Sequence, residues 1–129
     1  MDYIRKTQQD GKLVRREDYI SIRKHVGPTE LFIEKAITQA KYAYKKGNFP
    51  IGAILLVDDA TEVSGQNKVV SKKDPVYHAE IDIIHRASVY KDTPNKKLFV
   101  SMEPCGRCAR ALVEYGIDEV YYLLKDPAW

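Results

Sequence analysis

The sequence predicts an α/β fold, a layered sandwich of helices around a mixed, mostly parallel sheet. Three observations carry that expectation. Apolar runs of strand length alternate along the chain with stretches of helical periodicity, as in a sheet covered by crossover helices. One run, Ile51-Gly52-Ala53-Ile54-Leu55-Leu56-Val57, is apolar throughout, as suits a central strand buried on both faces. The chain has 129 residues, enough for one core and too few for two.

The elements follow in order. Residues 1–28 read as an extension with weak helical character around Glu17 to His25. Pro28 and Thr29 open a helix, with Thr29 as its N-cap. Leu31, Ile33, Ala36, Ile37, Ala40 and Tyr44 recur at helical spacing, and Gly47 closes the helix. The apolar strand comes next, and Asp58-Asp59 turn the chain into a more exposed strand, Thr61 to Gln66, forming a hairpin. Polar residues 67–74 make a loop. Pro75 suits the first turn of a second helix, running through Ile81, Ile84 and Ala87 to about Tyr90. Leu98 to Met102 is a buried strand, Cys105 to about Tyr115 a helix ended by Gly116, and Val120 to Leu124 a fourth strand.

Composition narrows the function classes. Hydrophobic residues at 44% and charged residues at 30% are ordinary for a soluble globular protein. No apolar run approaches the ~20 residues of a membrane span, and the amino terminus lacks a secretory stretch, so a cytoplasmic protein without a membrane partner is expected. The net charge of +3 resides in residues 1–28, with seven basic and four acidic side chains, while residues 29–129 balance at 14 of each. The extension reads as a solvated basic arm, with contact to nucleic acid as the alternative.

The chemistry concentrates in two short segments, His78-Ala79-Glu80 and Pro104-Cys105-Gly106-Arg107-Cys108. One imidazole and two thiolates suit zinc and leave one tetrahedral position for water. A carboxylate two residues from the histidine is placed to take a proton from that water. Cys105 and Cys108 lie three apart at a helix start, where they share a face and the helix dipole favours thiolates. Glu80 falls off the face of His78 on an ideal helix, which fits a non-ligand. His85 returns to that face but ~10 Å along the axis, too far to share an ion with His78. His25 has no visible partner.

The cysteines admit two other readings. Cys105-Gly106-Arg107-Cys108 after a strand and opening a helix resembles a thioredoxin-like redox motif, which leaves His78 and Glu80 idle. A purely structural zinc needs four protein ligands, and no fourth stands out.

H-x-E followed by P-C-x-x-C is a known signature of zinc nucleobase deaminases. Over residues 29–125 the chain resembles the cytidine deaminase-like superfamily, nearest the bacterial tRNA adenosine deaminases and the guanine and cytosine deaminases. Phe49-Pro50-Ile51-Gly52-Ala53, Gly65-Gln66-Asn67, Asp74-Pro75 and Glu103-Pro104-Cys105 are similar to motifs of that branch. The resemblance implies a three-layer α-β-α sandwich with one zinc per chain on His78, Cys105 and Cys108. It makes Glu80 the proton shuttle, Asn67 a hydrogen-bonding contact to the base and the Ala79 backbone amide a second contact. Phe49 is the expected apolar wall. The activity implied is hydrolytic deamination of an amino-substituted nucleobase or nucleoside with release of ammonia. Deamination of a tRNA wobble adenosine is the alternative, with tRNA as partner. A homodimer is implied as well.

Relatives usually continue past the fourth strand into a helix and a fifth strand, whereas this chain stops soon after residue 125. The last strand is therefore expected to be missing, supplied by a partner, or taken from the extension. Tyr77 stands where relatives often carry a small residue, and is expected to pack on the helix.

Overall fold

The computed structural model describes residues 2–6, 19–24 and 28–125, with side chains described from residue 30 onward. Six strands form one sheet in the order β2-β1-β6-β5-β3-β4. They are β1 (Asp2–Lys6), β2 (Tyr19–Lys24), β3 (Gly52–Val57), β4 (Thr61–Gln66), β5 (Lys96–Met102) and β6 (Glu119–Leu124). Among the described residues three α-helices accompany them: α1 (Pro28–Lys45), α2 (Ala79–Arg86) and α3 (Gly106–Tyr115).

The three layers are visible in the core. On one face Ile33 and Ala36 of α1 pack on Ile54, Leu56, Phe99 and Tyr121. On the other, Ala79, Ile83, Leu112 and Tyr115 of α2 and α3 pack on Ala53, Leu55, Leu98, Val100, Val120 and Tyr122. Alternate residues of β3 thus point to opposite layers, and all six are buried, as the apolar run required. At Gly52 a Cβ would lie 2.4 Å from both the Ala36 carbonyl oxygen and the Ala40 backbone nitrogen, so glycine sets how closely α1 approaches β3.

The sheet is mixed, and among the described residues only the β5–β6 pair is parallel. β3 is antiparallel to both β4 and β5, and β1 is antiparallel to β2 and β6. The expectation of a mostly parallel sheet therefore holds for strand direction and not for pairing. Crossovers through α2 and α3 keep β4, β5 and β6 in one direction. The tight turn after β3 forces that strand to run against them, with Asp58 and Asp59 at φ 50° and 55°, the positive values that match hairpin twist. β3 then sits between β4 and β5 and alternates the pairing.

Residues assigned to the extension belong to this sheet. β1 pairs with β6 from Asp2↔Tyr122 to Arg5↔Glu119, so the strand beyond β6 comes from the amino-terminal segment. The helical character expected around Glu17 to His25 is overturned at Tyr19–Lys24, which is strand. Tyr19-Ile20-Ser21-Ile22 is rich in β-branched and aromatic residues with a period of two, which favours strand over helix. Glu17, Asp18 and His25 lie outside the described residues. Helix α1 begins at Pro28 itself, so Thr29 is in the first turn and not an N-cap; proline is well suited to that first position. Pro75 lies in a turn before α2, which starts at Ala79 and ends at Arg86, with a single 3-10 turn over Ser88–Tyr90. Gly116, at φ 105°, ends α3 in the left-handed conformation.

Candidate metal centre and cavity

The two motif segments meet where α2 and α3 begin. His78 and Cys105 are the N-cap residues of these helices, with nearly identical extended backbones (ψ 168° and 167°). Neither side chain caps its helix, so both are free for another task. His78 therefore precedes α2 and does not sit in its first turn. Cys108 lies in the first turn of α3 and is buried.

One ligand atom from each of His78, Cys105 and Cys108 lies within 4.8 Å of the others. His78 Nδ1 is 3.7 Å from Cys105 Sγ and 3.4 Å from Cys108 Sγ. These distances test whether the set fits zinc. Tetrahedral coordination with bonds of ~2.3 Å to sulfur and ~2.0–2.1 Å to nitrogen places S and N about 3.6 Å apart. The spacing and the donor chemistry both fit.

Electrostatics around the sulfurs are uneven. The hydrogen bond from Cys108 lowers the Cys105 thiol from 9.0 to about 5, with His78 contributing. The same bond, together with burial, raises Cys108. The pair thus gives up one proton readily and holds a second, which a divalent ion would displace.

Glu80 is 4% exposed, and burial raises its carboxyl from 4.5 to about 7, with Cys105 adding to the rise. Its carboxyl is therefore poised near neutrality, the range in which a group can both accept and donate a proton. With Ile51, His78, Met102, Glu103 and Cys105 it lines a cavity of about 200 Å³. Because His78 is extended at the N-cap, the two-residue step to Glu80 keeps both on one wall, which an ideal helix would not.

The other expected contacts are distributed unevenly. Asn67 is buried; its backbone N–H donates to Ile51 O at 3.0 Å and its Oδ1 accepts from Val69 N–H at 3.1 Å. Ala79 is buried at the first position of α2. None of Asn67, Ala79 and Phe49 is among the residues lining the cavity; Phe49 is turned to solvent at 56% exposed, and the apolar wall is Ile51 with Met102. Tyr77 packs edge-on against His85, its OH 3.4 Å from His85 Nδ1, and Lys72 stands over its ring. It packs on the helix as expected. His85 is exposed on α2, away from the three donors.

Several residues escaped the sequence reading. Asp82, 1% exposed, accepts from Gln66 N–H and Lys68 Nζ. Asn48 Oδ1 accepts from Val70 and Ser71 N–H, anchoring the loop after β4 to the end of α1. Asp82 had a signal: it falls beside Ala79 and Ile83 on the buried face of α2. Asn48, just past a helix-ending glycine, looked like any loop residue.

Among the described residues no helix is long and apolar enough to cross a membrane. The chain is 35% identical over 100 residues to a tRNA-specific adenosine deaminase of Aquifex aeolicus, covering 75% of this chain and 66% of that protein. A tRNA-specific adenosine deaminase of Bacillus subtilis is 33% identical, covering 76% and 63%. The chain thus spans about two thirds of the length of these curated relatives. Among solved structures, one from a study of A-to-I editing by tRNA:A34 deaminases superposes with a TM-score of 0.70 and 30% identity, covering 79% of this chain and 81% of that one. A guanine deaminase of Bacillus subtilis gives 0.67 and 31%, covering 74% and 64%. The family model described as the cytidine and deoxycytidylate deaminase zinc-binding region matches residues 27–124. With that match over most of its length, the chain belongs to the zinc-binding cytidine and deoxycytidylate deaminase family.

Proposed function

We propose that this protein is a hydrolytic deaminase of an amino-substituted nucleobase or nucleoside. One observation carries the reading: of three donors at zinc spacing, His78 and Cys105 line a small cavity together with the buried carboxylate of Glu80, which is not one of them. At about 200 Å³ the cavity is below the ~300–1,000 Å³ of pockets for drug-sized ligands, which suits a single flat heterocycle.

His78, Cys105 and Cys108 would hold the zinc. When bound, zinc supplies Lewis-acid activation of a water molecule at neutral pH. Glu80 takes a proton from that water and delivers it to the ring nitrogen. The water oxygen bonds to the carbon bearing the amino group. Glu80 then takes the remaining proton from the hydroxyl of the adduct and passes it to the amino nitrogen, the C–N bond breaks, and ammonia leaves an oxo product. One carboxylate serves as base and then as acid, and its burial excludes competing bulk water. Asn67 and the Ala79 backbone N–H orient the ring. The redox reading of Cys105 and Cys108 leaves His78 and Glu80 without a task.

A second reading has the base presented within tRNA. Exposed Lys72 and Lys73 lie on the loop after Asn67, with Lys72 against Tyr77, next to His78. The relatives that are tRNA-specific adenosine deaminases point the same way. Phosphate contacts make binding steeply salt-dependent.

An ammonia-release screen of free bases, nucleosides and an anticodon stem-loop tests both readings, with sedimentation of the same sample checking the implied dimer. Glu80→Gln is expected to keep one zinc per chain and lose turnover by at least about 10²-fold. Wild-type rates in that variant would remove Glu80 from the mechanism. Absence of stem-loop binding at low salt would dispose of tRNA.

A further inference from the structure

Asn67 is bracketed by two residues that bond to one side chain. Asp82 Oδ2 accepts from the Gln66 backbone N–H at 2.9 Å, and Asp82 Oδ1 accepts from Lys68 Nζ at 2.8 Å. Lys68 also donates its backbone N–H to Tyr77 O at 2.9 Å. Asp82 in turn donates its own backbone N–H to His78 O at 3.0 Å. One short helix thus presents Glu80 to the cavity, follows His78 directly, and grips the chain on both sides of Asn67.

We infer that the Asp82 carboxylate, with Lys68, is a positioning clamp that fixes Asn67 relative to His78 and Glu80. The inference rests on the proposed role of Asn67 in orienting the base. The physical grounds are burial and charge. Asp82 is 1% exposed, and an ionised carboxylate is held there only when its oxygens are bonded. Both are, and both bonds go to the segment around Asn67. Surface tethering does not require this: Lys35–Glu62 joins α1 to β4 with both side chains about 41% exposed, where an ion pair contributes little. A buried, charge-assisted bond to a backbone N–H is directional and strong. The last residue of β4 is thereby locked to α2 just before the chain leaves the sheet. Without that bond Asn67 retains its backbone bond to Ile51 and its turn to Val69, neither of which refers to the helix carrying Glu80.

The test uses the zinc-loaded full chain. In Asp82→Asn and Lys68→Met, hydrogen exchange at the amides of residues 66–68 is expected to rise roughly tenfold or more, while exchange in β3 and β5 stays unchanged. Unchanged exchange at 66–68 in both variants overturns the clamp and needs no substrate. With a substrate from the ammonia screen, either variant is expected to lose roughly tenfold in kcat/KM, mostly through KM, with zinc retained. In an Asn67→Ala background the same substitutions should cost almost nothing further, because coupled residues are non-additive. Equal losses in both backgrounds would make Asp82 merely structural and overturn the inference while leaving the site reading intact. Wild-type kcat/KM in Asn67→Ala alone would instead remove the base contact, and the clamp's purpose with it.

Discussion

Substituting Gly65 separates the architecture of the site from its chemistry. Gly65 lies on β4 beneath the start of α2. A Cβ there would stand 2.6 Å from Ile83 Cγ1, 2.8 Å from the Ala79 carbonyl oxygen and 2.9 Å from Ile83 Cδ1. Ile83 is fully buried, and the Ala79 oxygen is backbone. In Gly65→Ala the helix must therefore retreat by roughly 0.6 Å, the difference between 2.8 Å and the ~3.4 Å at which ordinary contact begins. Overpacking of this kind costs about 1–3 kcal/mol, or a fall in Tm of roughly 4–12 °C for a domain of this size. The displaced residue sits between His78 and Glu80. Since a 1 Å misplacement costs ~10²-fold in rate, a loss of about tenfold per folded molecule is expected, with zinc retained. Gly47→Ala is the control: φ is +86° and no atom lies within 4 Å of the added Cβ. It should cost ~1–2 kcal/mol of backbone strain and leave turnover unchanged. The measurements are thermal unfolding of the zinc-loaded proteins and ammonia release corrected for folded fraction. Wild-type Tm and wild-type rate in Gly65→Ala would refute the close approach of α2 and β4 as the determinant of site geometry.

Cys105→Ser and Cys108→Ser should each abolish stoichiometric zinc by elemental analysis and lower thermal stability, because metal binding is coupled to folding; full zinc in both would contradict the donor set. Lys96 is 2% exposed, and its Nζ donates to the carbonyls of Tyr90, Lys91 and Thr93. Lys96→Met should cost roughly 2–3 kcal/mol in urea unfolding by leaving these acceptors bare, and a loss below about 0.5 kcal/mol would mean that water satisfies them. Removing residues 1–27 strips β1 and β2 from β6 and turns a paired strand into an open edge. Concentration-dependent self-association by sedimentation, or a lower Tm, is expected; a monomer of full stability would show that β1 contributes nothing to the sheet.

Much of this molecule can be read from its sequence because the relevant signals are local. The apolar run of β3, the Asp58-Asp59 turn, the extent of β4 and the close of α3 at Gly116 each depend on a few neighbouring residues. So does the donor set, since an imidazole and two thiolates three residues apart have few other uses together. What failed locally failed for identifiable reasons. Tyr19–Lys24 reads locally as weak helix because its pairing partner, β1, lies 13 residues away across Gly11 and six charged side chains. Strand pairing is a long-range fact that periodicity over six residues does not specify.

The sequence by itself determined the layered α/β class, the chemistry of His78, Cys105 and Cys108, and the presence of a spare carboxylate at Glu80. Only the tertiary structure decided that two N-cap residues with matching backbones aim those donors at one another. It also decided that an amino-terminal strand borders β6, and that Asp82 ties the Asn67 segment to α2. The physical reason is distance: bonding preferences reside in single residues and short runs, whereas a shared cavity exists only after crossovers bring segments 27 and 30 positions apart within 3.7 Å and 3.4 Å.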